Sequence, residues 1–293
     1  MKRDIYVFND GEMRRKDNTL LFETESGKKY IPVEEVNNIW FFGEVTLNKT
    51  FIDFVSQKEI CLHFFNYYGY YSGTFYPREH LNSGYVILKQ AEHYLDYEKR
   101  MELAREIIQT AAKNIIVILK YYNSRGIDLT QEIESIENKI YGMKHAEKIG
   151  QLMALEGNIR SEYYNCFNKI INNSDFYFTI RSKRPPLDNI NSLISFGNSI
   201  MYTTILGEIY QTQLDPRIGF LHATNSRRFT LNLDIAEIFK PIIVDRTIFS
   251  LLNRGSITKK DFEKDFNGIL ISEKGRMKFL EEYSKKLDTV IKH

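Results

Sequence analysis

Four side chains of this sequence sit in apolar company that an ionisable group does not enter without a reason. Glu156 lies in Leu152-Met-Ala-Leu-Glu-Gly-Asn-Ile-Arg160, on the inner stripe of a helical pattern. A lone carboxylate there is costly unless a partner or a metal takes it. His222 closes Gly219-Phe-Leu-His222, just after the break at Pro216. Asp234 and Glu237 fall three apart in Leu231-Asn-Leu-Asp-Ile-Ala-Glu-Ile-Phe-Lys-Pro241, on one helical face among Leu233, Ile235 and Ile238. One imidazole with two or three carboxylates is a hard nitrogen and oxygen donor set suited to Mg2+ or Mn2+. No sulfur ligand is at hand to favour zinc. Each residue also has a plain structural reading. Glu156 can pair with Arg160 four residues on, His222 can be a satisfied core histidine, and Asp234 can cap a helix. Spacing alone leaves both readings open.

Other chemistries lose support. The chain has no Gly-x-Ser-x-Gly, no Walker loop and no Gly-x-Gly-x-x-Gly. Cys61 and Cys166 are its two cysteines, too few for a disulfide framework and without a CxxC for zinc. Both are expected to be buried small hydrophobes. No stretch approaches the roughly 20 uncharged apolar residues of a membrane helix. The Met-Lys-Arg-Asp start runs into a strand pattern rather than a signal peptide's apolar region. With 43% hydrophobic and 27% charged residues over 293 positions, a folded, soluble, cytoplasmic protein is expected. Residues 1–82 carry slightly more acid than base and 83–293 slightly more base than acid, too mild an asymmetry to indicate nucleic acid by itself.

The elements that must position these residues change character near residue 82. Before it, short apolar runs alternate with turn signals: Ile5–Phe8 before Asn9-Asp10-Gly11, Thr19–Phe22, Tyr30–Val33, Ile39–Phe42 and Ile60–Phe65, with 69–75 as a hairpin continuation. The stretch before Asp17-Asn18 reads as a polar ribbon. Leu47, Phe51, Phe54 and Val55 recur at helical spacing, so one helix interrupts the strands. After it, the period is helical: one long pattern over 83–122, then 130–141, 146–172, 191–210, a helix from near Asp234 to Lys240-Pro241, and others at 244–253 and 272–291. The fold class is therefore α+β, a small N-terminal β-rich domain (1–82) followed by a larger helical domain (83–293). Trp40, Phe41 and Phe42 add to more aromatic surface than a domain of 82 residues buries comfortably, so part of that surface is expected to form a two-fold dimer interface.

The order of motifs resembles the CRISPR-associated integrase family, the adaptation endonucleases numbered first among the Cas proteins. The resemblance covers nearly the whole chain. It runs through Ser83-Gly84 with Leu88-Lys89-Gln90, Leu155-Glu-Gly-Asn-Ile-Arg160 with Tyr163-Tyr164, and Arg184-Pro-Pro-Leu-Asp-Asn-Ile-Asn-Ser-Leu-Ile-Ser-Phe-Gly197. It continues through Leu214-Asp-Pro-Arg-Ile-Gly-Phe-Leu-His222 and Leu233-Asp-Ile-Ala-Glu-Ile-Phe-Lys-Pro241. Ile159 stands where the family usually has a small residue and Lys240 where it often has Arg; neither removes a candidate ligand.

The resemblance implies a β domain joined to a helical catalytic domain, and metal ligands that map onto Glu156, His222 and Glu237, with Asp234 as a supporting acid. It implies a homodimer joined largely through the β domains, two dimers flanking the small second-numbered Cas protein, and a DNA fragment whose free 3′ ends are joined into a CRISPR repeat array. A divalent ion at such a site favours deprotonation of a 3′-hydroxyl and offsets charge at the attacked phosphorus. Arg160, Arg181, Lys183, Arg184, Arg227 and Arg228 are candidate phosphate contacts, and Tyr163 and Tyr164, about two turns after Glu156, are placed to approach the strand or to pack the core. Two other readings stand beside this one: a transposon-borne relative of the same integrase, and a catalytically silent DNA-binding scaffold.

Overall fold

A computed structural model describes residues 2–77, 81, 83–224, 229–265 and 268–289. Two units emerge: residues 1–84 with 206–213, and 85–205 with 214–293.

The first unit holds β1 (Arg3–Val7), β2 (Gly11–Lys16), β3 (Thr19–Thr24), β4 (Gly27–Pro32), β5 (Val36–Phe41), β6 (Val45–Leu47), α1 (Lys49–Gln57), β7 (Leu62–Phe65) and β8 (Tyr71–Phe75). They form two four-stranded sheets, ordered β4-β3-β2-β6 and β1-β5-β7-β8. The polar ribbon is a strand. Arg14 pairs with Leu21 and Lys16 with Thr19 across a two-residue turn at Asp17-Asn18, where Asp17 adopts φ 54°. Its alternation is hard to see in sequence because Met13 is its one fully buried apolar side chain. Asn48 caps α1 by accepting from Phe51 N at 2.9 Å, worth about 1 kcal/mol. Phe51, Phe54 and Val55 then join Val7, Met13, Leu20, Ile39, Phe41 and Leu62 in the core between the sheets.

The opposite face of β1-β5-β7-β8 is aromatic. Trp40 stacks on Phe65 at 5.7 Å and Phe42 on Phe65 at 4.6 Å. Trp40, Phe41 and Phe42 are all buried, so they are not the dimer surface the composition suggested. Residues 206–213 belong to this unit and explain part of the difference: Gly207 lies where an added Cβ would be 3.6 Å from His63 Nε2. The exposed rings are Tyr30, Tyr67 and Tyr68.

The second unit contains α2 (Gly84–Leu95), α3 (Tyr97–Asn123), α4 (Thr130–Gly142), α5 (Ile149–Asn165), α6 (Phe167–Ile170), α7 (Asn189–Tyr210, its last turn in the first unit), α8 (Leu231–Phe239), α9 (Arg246–Asn253) and α10 (Glu273–Leu287). The long pattern over 83–122 is two helices, because the Asp96 carboxylate accepts from Lys99 N at 3.2 Å and starts α3 anew. Pro241 does not end the run from α8. The chain widens into a π-helical turn over Lys240–Asp245 and continues as α9, a geometry that accommodates a residue without an N–H. The capping box at Thr258-Asp261 leads into a hairpin, β9 (Phe262–Asp265) and β10 (Gly268–Ile271), that the helical pattern did not suggest. Among the described residues no helix is long and apolar enough to cross a membrane.

Candidate metal centre

The site of interest is assembled from α5, α8, the π-turn and the loop 214–224. On α5, Glu156, Arg160, Tyr163 and Tyr164 follow at helical spacing, so that Arg160 reaches back to Glu156, with Nε 3.6 Å from Oε1. On α8, Glu237 meets Arg160 Nη2 through Oε2 at 2.7 Å, and its Oε1 accepts from Lys240 Nζ. Arg160 Nη1 lies 3.9 Å from Asp245 Oδ2. These groups are all largely buried. Burial by itself pushes the Glu237 carboxyl up, but Lys240, Arg160 and nearby His222 outweigh it and hold it down to about 2. The same contacts raise Arg160 and Lys240 against the pull of burial, so all three stay charged.

The loop that carries His222 has no regular structure and is held by side chains from three helices. Gln90 of α2 donates from Nε2 to Asp215 O at 2.9 Å and Ile218 O at 2.7 Å, and accepts from Asp215 N at 2.9 Å. Arg100 of α3 donates to Phe220 O at 2.8 Å. From α8, Asp234 accepts three backbone N–H bonds, from Phe220 at 2.5 Å, Leu221 at 2.9 Å and His222 at 3.0 Å, and meets His222 Nδ1 at 2.7 Å. Asp234 is completely buried; it is no helix cap, since α8 begins at Leu231 after Thr230. Its carboxylate fixes the ring with Nδ1–H as donor, leaving Nε2 as the basic nitrogen. Gly219 makes the fold of this loop possible: a Cβ there would fall 2.7 Å from Asp234 Oδ2 and 2.8 Å from the Thr230 carbonyl carbon.

Arg160 thus gathers Glu156 and Glu237, and Asp234 gathers His222. Among the described residues no three His, Cys, Asp or Glu side chains are arranged to hold an ion, because Arg160 stands between the two glutamates. The donor chemistry nonetheless suits a hard divalent ion, with two carboxylates and an imidazole whose tautomer is fixed by a carboxylate.

Of the candidate DNA contacts, Arg160 is committed to carboxylates. Arg181 is spent internally on Asn191 Oδ1 at 2.9 Å, Ser195 Oγ at 3.1 Å and the Ser182 carbonyl. Tyr163 and Tyr164 are buried and pack on Phe167, at 5.3 Å and 5.2 Å, so neither ring presents a face to a base. Lys183 and Arg184 are exposed, on a loop built around Asn191, which donates to Ile180 O at 2.8 Å and accepts from Ser182 N at 3.0 Å. Arg227 and Arg228 lie outside the described residues. Sequence reasoning gave no role to Lys240, Asp245 or Gln90. A basic or acidic residue next to a motif carries no mark of the partner it finds through folding.

Residues 5–285 match the family described as CRISPR associated protein Cas1. The chain is 54% identical over 293 residues to CRISPR-associated endonuclease Cas1 2 of Thermodesulfovibrio yellowstonii, covering 100% of this chain and 89% of that protein. It is 49% identical over 289 residues to CRISPR-associated endonuclease Cas1 of Thermotoga maritima, covering 99% and 88%. A solved structure of a CAS1 protein from Thermotoga maritima superposes with a TM-score of 0.90 at 48% identity, over 98% of this chain and 90% of that one. A casposase bound to integration product shares the fold, with a TM-score of 0.88 at 21% identity over 100% and 84% of the two chains.

Proposed function

Because this chain belongs to the Cas1 family of CRISPR-associated proteins, we propose that it is a metal-dependent DNA endonuclease and integrase. Its reaction joins the 3′-OH ends of foreign DNA fragments to phosphodiesters of a CRISPR repeat array. The observation that carries this reading is the meeting of Glu156 and Glu237 on Arg160, with His222 oriented by Asp234 beside them. Glu156, Glu237 and His222 Nε2 would hold Mg2+ or Mn2+, which when bound supplies charge to activate a hydroxyl and to stabilise the attacked phosphate.

The chain's own residues do the rest. Asp234 is a positioning residue: it holds the imidazole and the backbone of 220–222 as one piece. Lys240 keeps Glu237 ionised so that it can act as a ligand at neutral pH. Lys183 and Arg184 are the exposed cations proposed to meet the DNA backbone, which positions the substrate without reading its sequence. A DNA substrate, a homodimer through the β-rich unit and a complex with the small second-numbered Cas protein complete the proposal. The exposed edge strand β4 with Tyr30, and the turn with Tyr67 and Tyr68, are the surfaces available to the dimer. Light scattering at micromolar concentration should report twice the chain mass; a clean monomer would sink this part.

The function is tested by strand transfer with and without EDTA, paired with filter binding. Glu156→Ala and His222→Ala should abolish joining and leave DNA binding within a factor of about two, since affinity comes mainly from phosphate contacts. Full joining by Glu156→Ala, or joining that survives EDTA, would refute the mechanism. The occupation of Glu237 by Arg160 and Lys240 favours one other reading, a silent DNA-binding scaffold. That reading predicts binding without any metal-dependent joining by the wild type.

A further inference from the structure

We propose that Arg160 has two seats, and that Asp245 and Tyr163 form the second, which receives the guanidinium when a divalent ion takes Glu237. This inference rests on the metal reading above.

Arg160 touches its three carboxylates unequally. The bond to Glu237 is made, at 2.7 Å, whereas Glu156 and Asp245 stand at 3.6 Å and 3.9 Å. The far side of the guanidinium is unfinished. Arg160 Nη1 and Asp245 Oδ2 are buried without meeting each other in a hydrogen bond, a costly arrangement for either, and the Tyr163 hydroxyl lies against Asp245. Asp245 is 1% exposed and Tyr163 fully buried, so bulk water does not relieve them. Burial pushes the Asp245 carboxyl up to about 7, as Arg160 at its present distance offsets the desolvation only in part.

The two cations on Glu237 differ in their freedom. Lys240 is one turn along the same chain segment, with Nζ 4.9 Å from the centre of the Tyr202 ring, and it can keep Oε1. Arg160 comes from another helix, 77 residues away in sequence, and cannot discharge itself. An ion bound by Glu156 and Glu237 repels the guanidinium that separates them. Asp245, at the end of the π-turn that begins with Lys240, stands 3.9 Å from Arg160 Nη1 without a hydrogen bond to it. Moving onto it gives Arg160 Nη1 and Asp245 Oδ2 a partner in each other and frees Glu237 Oε2. Asp245 and Tyr163 are then positioning residues: they act on the ion through Arg160.

The test is a Mn2+ titration of the full chain, followed by electron paramagnetic resonance, on wild type, Glu156→Ala, Asp245→Asn, Arg160→Met and the Arg160→Met/Asp245→Asn pair. Asp245→Asn should weaken Mn2+ binding about tenfold, the low end for supporting partners of metal ligands, with unchanged circular dichroism. In the Arg160→Met background the same substitution should have no effect, because there is no guanidinium left to receive. Equal weakening in both backgrounds would mark Asp245 as merely structural and overturn the proposal. Unchanged Mn2+ affinity in Asp245→Asn, with Glu156→Ala defective, overturns the two seats alone; wild-type affinity in Glu156→Ala overturns them together with the metal reading. Should Arg160→Met fail to fold, a crystal structure with Mn2+ decides. Arg160 Nη1 within about 3.2 Å of Asp245 supports the proposal, and a separation still near 3.9 Å overturns it.

Discussion

The two units bury ionisable groups on opposite terms. In the β-rich unit a fully buried imidazole is kept neutral. His63, completely buried between Trp40 and β8, meets Thr74 Oγ1 at 2.9 Å through Nδ1, and burial holds its imidazole down to about 3. Asp4 likewise is raised by burial, against hydrogen bonds from Asn37, Trp40 and Asn38. In the helical unit Glu237, Arg160 and Lys240 are buried and charged. A neutral imidazole needs one hydrogen bond to be tolerated, whereas a buried charge needs a counter-charge and the geometry to hold it. Neutral polar groups therefore serve packing. A cluster of paired charges is a commitment that a stable core alone does not require, and here it surrounds the candidate ligands.

The largest expected effect breaks the charged cluster. Glu237→Leu leaves Arg160 and Lys240 buried with no carboxylate at 2.7 Å or closer, and should cost about 3–5 kcal/mol in urea denaturation. A loss under about 1 kcal/mol would mean that water reaches the cluster and that the contrast between the units is false. His63→Leu should cost about 1 kcal/mol, the worth of one neutral hydrogen bond, because Thr74 Oγ1 still accepts from Tyr71 OH at 2.8 Å. A penalty as large as that of Glu237→Leu would erase the distinction.

The smallest effect is in pH dependence, where a buried base and a buried acid have opposite signs. His63 titrates near 3 when folded and near 6.5 when unfolded. Between these values the unfolded chain binds the extra proton, so stability falls as pH falls from 6.5 toward 3. Asp245 is raised from 3.8 to about 7 by burial. In that window the folded chain holds the extra proton, so its contribution falls as pH rises from about 4 to 7. Urea midpoints at pH 7.5, 6 and 4.5 should thus converge for wild type and His63→Leu toward acid, as wild type loses its relative advantage. Asp245→Asn should gain on wild type toward neutral pH. Parallel curves for either variant would remove that group from the account. Glu237, held down to about 2, stabilises fully above its unfolded value and loses its contribution only as pH falls through its folded one.

The sequence by itself determined the α+β class and most of the elements. It also singled out Glu156, His222, Asp234 and Glu237 as polar residues in apolar company. Those signals are local: a period of two or near four, a turn dipeptide, a carboxylate on an inner stripe. Where local signals were thin, the reading failed. The strand β2 has a single fully buried apolar residue, the break between α2 and α3 rests on the one side chain Asp96, and Pro241 is carried through by a π-turn instead of ending the helix.

What only the tertiary structure decided is who partners whom. Arg160 stood as a phosphate contact or a partner of Glu156, and Tyr163 and Tyr164 as strand neighbours or core. Folding turned α5 so that the arginine faces Glu237, 77 residues on, and the tyrosines enter the core. Asp234 stood as a supporting acid or a cap, and folding makes it the acceptor that builds the His222 loop. Asp245 carried no signal, and Lys240 stood only as a variant position of a motif, with no partner assigned. Backbone preference and hydrophobic period act within a few residues and are written in the sequence. The partner of a buried charge is fixed by which elements pack together, because only in the folded chain is a charge 77 residues away nearer than water.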